Sequence, residues 1–325
     1  MIQISDLHRQ AKNRLREVSG NPRKVVLTHT AVALGCSLFL TGLVYLFDHL
    51  IANTGGLDGL GLRSVLTTIQ SLLELVVMIA LPFWQLGIYY TALLWSGKQR
   101  AESDDLLQGF RRFGPALKLF LIRYGLFAAL MVAVFYTCTT LYLMTPFSMP
   151  MLEIFEPIME QGATPEHLQE LLTPELMESA FHAMLPLLIL SGVIYTALAI
   201  ILFYRLRFAD FAVMDGMSAG SAFRKSFVLT RNRCMQVFRL DLSFWWFYSL
   251  QILSVAICYA DVLLPLIGVS LPVSKVVAAL VFYAIGILCQ GVLLWLQEGH
   301  RVTTYALSYR TLDGTINGNG EDQQP

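Results

Sequence analysis

The chain has 325 residues, of which 55% are hydrophobic and 14% charged, where soluble domains carry about 25% charged residues. Lys plus Arg and Asp plus Glu stand equal at 23 each, so no basic excess marks a nucleic-acid partner and none is expected. With a mean hydropathy of +0.58, the composition excludes a pair of soluble domains and points to a bilayer as the solvent for much of the chain.

A transmembrane helix needs about 20 apolar residues, because the hydrocarbon core is about 30 Å thick and each helical residue rises about 1.5 Å. Runs over residues 25–47, 64–95, 116–144, 184–204, 240–267 and 276–296 meet that length. Lipid offers no partner to an open backbone, and runs this long lack the alternation of barrel strands. The predicted fold class is therefore an all-α polytopic membrane protein: six transmembrane helices, cytoplasmic amphipathic helices and an acidic helical outer loop.

In chain order, residues 1–24 form a polar, basic segment with no short apolar core and no small-residue cleavage site, so an uncleaved cytoplasmic anchor is expected. Residues 25–312 form the membrane domain. Its second run is long enough to require tilt or a kink, for which Pro82 is the natural place, with Gln85 available to the freed backbone groups. Glu74 in the same run costs at least about 2.5 kcal/mol in a bilayer unless it faces protein or water. Gln70 stands one turn earlier on the same face, so a polar seam is expected, with Gln251 and Gln290 as further members. Helix association and a proton or cation relay both use such a seam.

The cytoplasmic loops are expected at residues 96–115 and 205–239, and the outer loop at 145–183. That outer loop carries Glu153, Glu156, Glu160, Glu166, Glu170, Glu175 and Glu178 without Lys or Arg. Thr164-Pro165-Glu166 and Thr173-Pro174-Glu175 each place a capping hydroxyl, a Pro at the first helical position and an early acid, so short helices are predicted there. The tail, residues 313–325, has almost no apolar residues after Ile316 and is expected to be disordered.

Orientation follows from the cations, which hold their segments on the cytoplasmic side. All Lys and Arg except Arg63 and Lys275 fall in the N-terminal segment, the two cytoplasmic connections and their borders, and the C-terminal segment. Both termini are therefore expected inside. Segments 7–24, 106–123 and 218–239 mix basic and apolar residues and read as interfacial helices introducing three hairpins, with Arg111, Arg112, Arg224, Lys225, Arg231 and Arg233 as interfacial cations. Ala11 and Ala222 each precede an Asn, Asn21 and Asn232, by ten residues, which suggests a repeat; any basic loop between apolar helices gives a similar pattern.

Reaction chemistry is sparse. Gly216-Met217-Ser218-Ala219-Gly220 matches a nucleophile elbow, but that motif needs a strand before the Ser, and a helix cap is the better reading. His29 and His182 are isolated and are expected to be satisfied by local hydrogen bonds. The cysteines sit in or beside apolar runs and imply no disulfide framework. Met144, Met149 and Met151 with His167 and His182 suit copper(I), yet Met also fills gaps at apolar surfaces. No catalytic residue, metal site or cofactor is assigned, and the chain is not expected to be an enzyme.

The stretch Phe203 to Phe247, FYRLRFADFAVMDGMSAGSAFRKSFVLTRNRCMQVFRLDLSFWWF, resembles the bacterial membrane family known as domain of unknown function 975. The similarity is strongest at Phe238-Arg239-Leu240-Asp241-Leu242-Ser243-Phe244-Trp245-Trp246, and the segments AKNRLREVSGNPRKVV and Tyr305 to Leu312 share it. The long acidic outer loop and Ser308-Tyr309-Arg310 depart from the family pattern. The resemblance implies a fold and a bacterial cytoplasmic membrane, and nothing catalytic. Within the signature, Asp241 and Ser243 are expected at the start of the fifth helix, as a cap or dipole partner, with Arg123 as a candidate for pairing with Asp241. The expected function is a non-enzymatic, partner-binding or regulatory membrane module that meets membrane lipids and a membrane or envelope protein. The alternative is a small transporter or lipid-handling protein that uses the seam around Glu74.

Overall fold

The computed structural model describes residues 3–53, 58–149, 174–266 and 275–321. Among them all regular structure is helical. In chain order the elements are α1 (Ile4–Glu17), α2 (Pro22–Asn53), α3 (Asp58–Ser96), a 3-10 turn (Ser103–Leu107), α4 (Gln108–Arg111), α5 (Phe113–Leu143) and a second 3-10 turn (Pro146–Ser148). There follow α6 (Pro174–Leu206), α7 (Ala209–Met214), α8 (Ala219–Thr230), α9 (Cys234–Leu242), α10 (Trp245–Cys258), α11 (Ala260–Leu266) and α12 (Lys275–Glu321). Five stretches are long and apolar enough to cross a membrane, and α9 with α10 makes a sixth if that pair, bent by 59°, is one span. The protein is an all-α polytopic membrane protein.

Contacts divide the chain into two compact units, Met1–Leu119 with Arg207–Pro325, and Phe120–Leu206. In the smaller unit, Val134, Cys138 and Tyr142 of α5 recur at four-residue spacing and pack with Leu187 of α6. Tyr142 also donates its hydroxyl to the Ala183 carbonyl at 2.7 Å, which removes the cost of an unpaired phenol in an apolar setting.

The larger unit keeps its densest core at one end. Trp95, Phe83, Phe208, Phe244, Phe247, Tyr305 and Tyr309 are all essentially inaccessible there. Earlier along α3, Val65, Leu72, Val76 and Met78 are 55–65% exposed, as a lipid-facing surface requires. The core end closes through glycines. A Cβ on Gly87 would collide with the Leu106 carbonyl and one on Gly109 with the Phe83 carbonyl, so α3 and the Ser103–Arg111 segment touch backbone to backbone. Gly286 plays the same part where α12 crosses α10, against Cys258 and the Ser254 carbonyl.

Several expected boundaries move. The fifth run is not one helix: Ser243 donates its hydroxyl to the Leu240 carbonyl at 2.6 Å, drawing hydrogen bonding away from the helix ladder at the α9–α10 bend. The segment 106–123 is not an interfacial helix, because Leu106 is fully buried and most of the remainder belongs to α5. The tail does not begin as disordered chain at residue 313, since α12 runs to Glu321. Once started, a helix gains a hydrogen bond for each residue added, and Asp313 is held by an ion pair to Lys225 at 2.8 Å. The loop 145–183 lies outside the described residues over 150–173.

Elsewhere the local reading matches. Leu7 and Ala11 form the buried face of α1, and Ser218 caps α8 by accepting from the Ser221 amide. The suggested repeat is shared in part. Ala11 and Ala222 are both fully buried, but Asn21 caps α2 through the Lys24 amide at 3.2 Å whereas Asn232 occupies a left-handed turn with φ 59°.

Candidate functional site

The polar chemistry of the larger unit gathers on α12. Arg301, Tyr305, Tyr309 and Asp313 are spaced by four and so share one helix face; Arg301 pairs within α12, and the other three each reach a different part of the fold. Arg301 makes a bidentate pair with Glu298, Nη2 to Oε1 at 2.6 Å and Nε to Oε2 at 2.9 Å. Glu298 is 2% exposed and also accepts from Gln85 of α3 at 3.4 Å. Tyr305 donates to Asp241 of α9, Tyr309 to Asp215 after α7 at 3.1 Å, and Asp313 receives Lys225 of α8.

Cations lie over the same aromatic rings: Arg207 is 4.3 Å from the Tyr305 centroid and Lys225 is 5.1 Å from that of Tyr309. Arg310 donates to the Leu93 carbonyl of α3 at 2.9 Å. With Glu298 and Arg310 beside it, the stripe therefore ties α12 to α3, α8, α9 and the end of α7 through charged or phenolic groups, each with a partner.

Asp241 sits near the end of α9, four residues before α10 begins at Trp245. Its Oδ1 accepts from Tyr305, from Tyr248 at 3.1 Å and from Arg207 at 3.5 Å. Arg207 is thus the cation described beside Asp241. Ser243, beside it, meets His8 Nε2 at 2.8 Å, and His8 Nδ1 meets His300 Nε2 at 3.0 Å. A hydroxyl, an imidazole and a second imidazole in sequence have the outline of a nucleophile, a base and its orienter. The surrounding donors do not support acyl transfer. Ser243 already donates to Leu240, its amide goes to Arg239 and the Phe244 amide goes to Asp241, so neither local N–H is left for an oxyanion. What the chain of bonds does is fasten α1 to the α9–α10 bend. One set of tautomers satisfies it, His300 donating to His8 and His8 donating to Ser243. Burial pushes the His8 imidazole below its ordinary value and keeps it neutral.

The expected seam is reduced to one bond. Gln70 Nε2 donates to Glu74 Oε1 at 3.0 Å on an exposed face of α3. Among the described residues, neither Gln251 of α10 nor Gln290 of α12 hydrogen-bonds to that pair. Gln85 turns to Glu298 rather than to the backbone around Pro82. Of the His29 ring nitrogens Nδ1 is buried without a hydrogen-bond partner, while the ring stacks on Trp84 at 5.9 Å and lies beside the Gln85 side chain. His182 approaches Glu178 at 3.9 Å.

The interfacial cations separate into two groups. Arg112 donates to the Val213 carbonyl at 2.9 Å and Lys225 pairs with Asp313, so both hold the fold. Arg111, Arg224 and Arg231 are exposed, and Arg233 is half-buried in the turn before α9. Among the described residues no group of three or more His, Cys, Asp or Glu is arranged to hold a metal ion.

A basic groove opens between α1, the start of α2 and α12. It encloses about 600 Å³ and is lined by Lys12, Arg16, Asn21, Arg23, Trp295 and His300 among others. Sequence reading passed over both this groove and the α12 stripe. The i+4 series Arg301, Tyr305, Tyr309, Asp313 was available as a signal, but it lies beyond the last apolar run, and its partners come from distant segments.

No family model, no curated protein and no solved structure matches this chain.

Proposed function

We propose that the chain is a non-enzymatic module of the bacterial cytoplasmic membrane, with both termini in the cytoplasm, that binds or regulates a membrane or envelope protein while its basic face rests on anionic lipid. The observation that carries this reading is the allocation of charge. The buried groups on α12 are consumed in holding helices together, whereas Lys12, Arg16, Arg23, Arg111, Arg224 and Arg231 stand exposed. Exposed cations next to apolar spans favour an anionic membrane surface. The acidic loop at 145–183 is the surface for the envelope partner in this reading.

The test is native mass spectrometry of the protein extracted from its own membrane in lipid nanodiscs. A stoichiometric protein partner supports the module. A lone chain carrying a small molecule overturns it in favour of transport or lipid handling. Reporter fusions at Gly162 and Asp313 test the orientation, with outside and inside expected; a cytoplasmic Gly162 overturns it.

A further inference from the structure

We propose that the groove between α1 and α12 binds one anionic phospholipid, its phosphodiester held by Lys12, Arg16 and Arg23 and its acyl chains laid along α12. This rests on the membrane reading above and assigns its lipid contact to a single site.

The cations come from two directions, Lys12 and Arg16 from α1 and Arg23 from the first turn of α2, and they face one cavity. The acids that could neutralise them are already engaged. Asp6 pairs with Arg9 at 3.0 Å, and Glu17 with Lys98 at 2.8 Å, a contact that holds the Glu17 carboxyl below its usual range. Among the described residues no carboxylate pairs with Lys12, Arg16 or Arg23. The N-terminus of α2, a 32-residue helix, opens on the same space and adds its own preference for an anion.

The apolar side of the groove decides in favour of a lipid over a free phosphate. Trp295 and Leu296 form part of its wall. From Leu296 an outward stripe continues through Val292 to Leu288, these residues being 58%, 54% and 69% exposed. Eight residues of helix cover about 12 Å. The stripe leads to an apolar cleft of about 410 Å³ between α10 and α12, lined by Leu250, Leu253, Ile257 and Leu293 among others. A cationic pocket, an indole and an apolar track in line match the headgroup, interface and acyl chain of one molecule.

The full-length chain in an uncharged detergent is titrated with dihexanoyl phosphatidylglycerol, dihexanoyl phosphatidylcholine and inorganic phosphate, read by tryptophan fluorescence with Trp295→Phe as the assignment control. Phosphatidylglycerol is expected to bind at least about tenfold more tightly than the other two. Each cation near an anionic surface contributes about fivefold, so K12Q/R16Q/R23Q is expected to weaken phosphatidylglycerol binding by about a hundredfold. The charge-matched control R100Q/K118Q/R239Q, at exposed cations outside the groove, is expected to bind as the unaltered chain does. Because the replaced cations are exposed, unchanged circular dichroism is expected for both variants. Equal losses in the two variants overturn the groove and leave the general lipid contact standing. Inorganic phosphate binding as tightly as the lipid overturns the lipid assignment. No preference for phosphatidylglycerol in the unaltered chain overturns both.

Discussion

Arg301 and Glu298 provide the sharpest test of how the larger unit is held. Glu298 is 2% exposed and accepts two short bonds from Arg301 with one long bond, 3.4 Å, from Gln85. Arg301→Leu leaves a buried carboxylate with that long bond alone, and breaking a buried pair on one side costs about 3–5 kcal/mol. Glu298→Leu leaves Arg301, whose side chain is 13% exposed and whose guanidinium lies 5.8 Å from the Phe247 centroid. Cation–π attraction retains about 0.5–2 kcal/mol there, so Glu298→Leu is expected to cost about 1 kcal/mol less than Arg301→Leu. The double replacement removes both charges and recovers most of the loss, because well-packed apolar residues often serve as well as a buried pair. Equilibrium unfolding in mixed micelles of increasing denaturing detergent, followed by tryptophan fluorescence, measures all three. A loss below about 1 kcal/mol for Arg301→Leu, the size of a surface pair, or a double variant that loses the sum of the singles, refutes the argument.

Other expectations use the same assay or its close relatives. Gly87→Ala drives a methyl into the Leu106 carbonyl and is expected to cost about 1–3 kcal/mol, whereas Gly35→Ala, with nothing within 4 Å of the new Cβ, is expected to be neutral or stabilising by about 0.5–1 kcal/mol; similar effects for the two refute the close approach. Asp241→Asn keeps the shape but removes the charge that accepts from Tyr305, Tyr248 and Arg207, for an expected loss of about 1.5–3 kcal/mol. Unchanged thermal stability and expression would end the structural role of Asp241.

The His8 link predicts a pH effect. The folded state holds His8 below its unfolded value of about 6.5, so the unfolded chain binds more protons as the medium is acidified. The stability His8 contributes is present above that pH and is lost as pH falls through it. A proton on His8 Nδ1 would also face the His300 Nε2 hydrogen, and Lys12 adds repulsion at His300. Amide hydrogen exchange in α1 is expected to quicken between about pH 6.5 and 5, with His8→Asn reducing the pH dependence. Exchange that is flat across that range counts against the link.

Much of the architecture is legible in the sequence because it is written in local signals. Apolar length marks the spans, the mix of basic and apolar residues marks an amphipathic N-terminal helix, and Ser218 before Ala219 marks a helix start. The misreadings share another cause. Residues 240–267 satisfy the length rule for a span, yet the α9–α10 bend depends on Ser243 donating back to Leu240 and on α1 supplying His8, 235 residues away in sequence. Gln85 is one turn from a Pro and looks local, but its partner Glu298 is 213 residues away.

The same logic explains why charge in this chain misleads a reader of sequence. Glu74 lies mid-run and draws attention, but its described bond is to a neighbour on its own helix, Gln70. Glu298 stands just past an apolar run, where a surface carboxylate is the ordinary expectation, and it is among the most buried groups in the unit. Hydropathy averages a residue with its neighbours in sequence, whereas the energy of a charge is set by its neighbours in space. On α12 those neighbours arrive from α9, α8 and the end of α7 on one four-residue stripe, and from α3 at Glu298 and Arg310 beside it. A replacement anywhere along the stripe should therefore act on the docking of the element it meets, leaving the apolar spans unaltered.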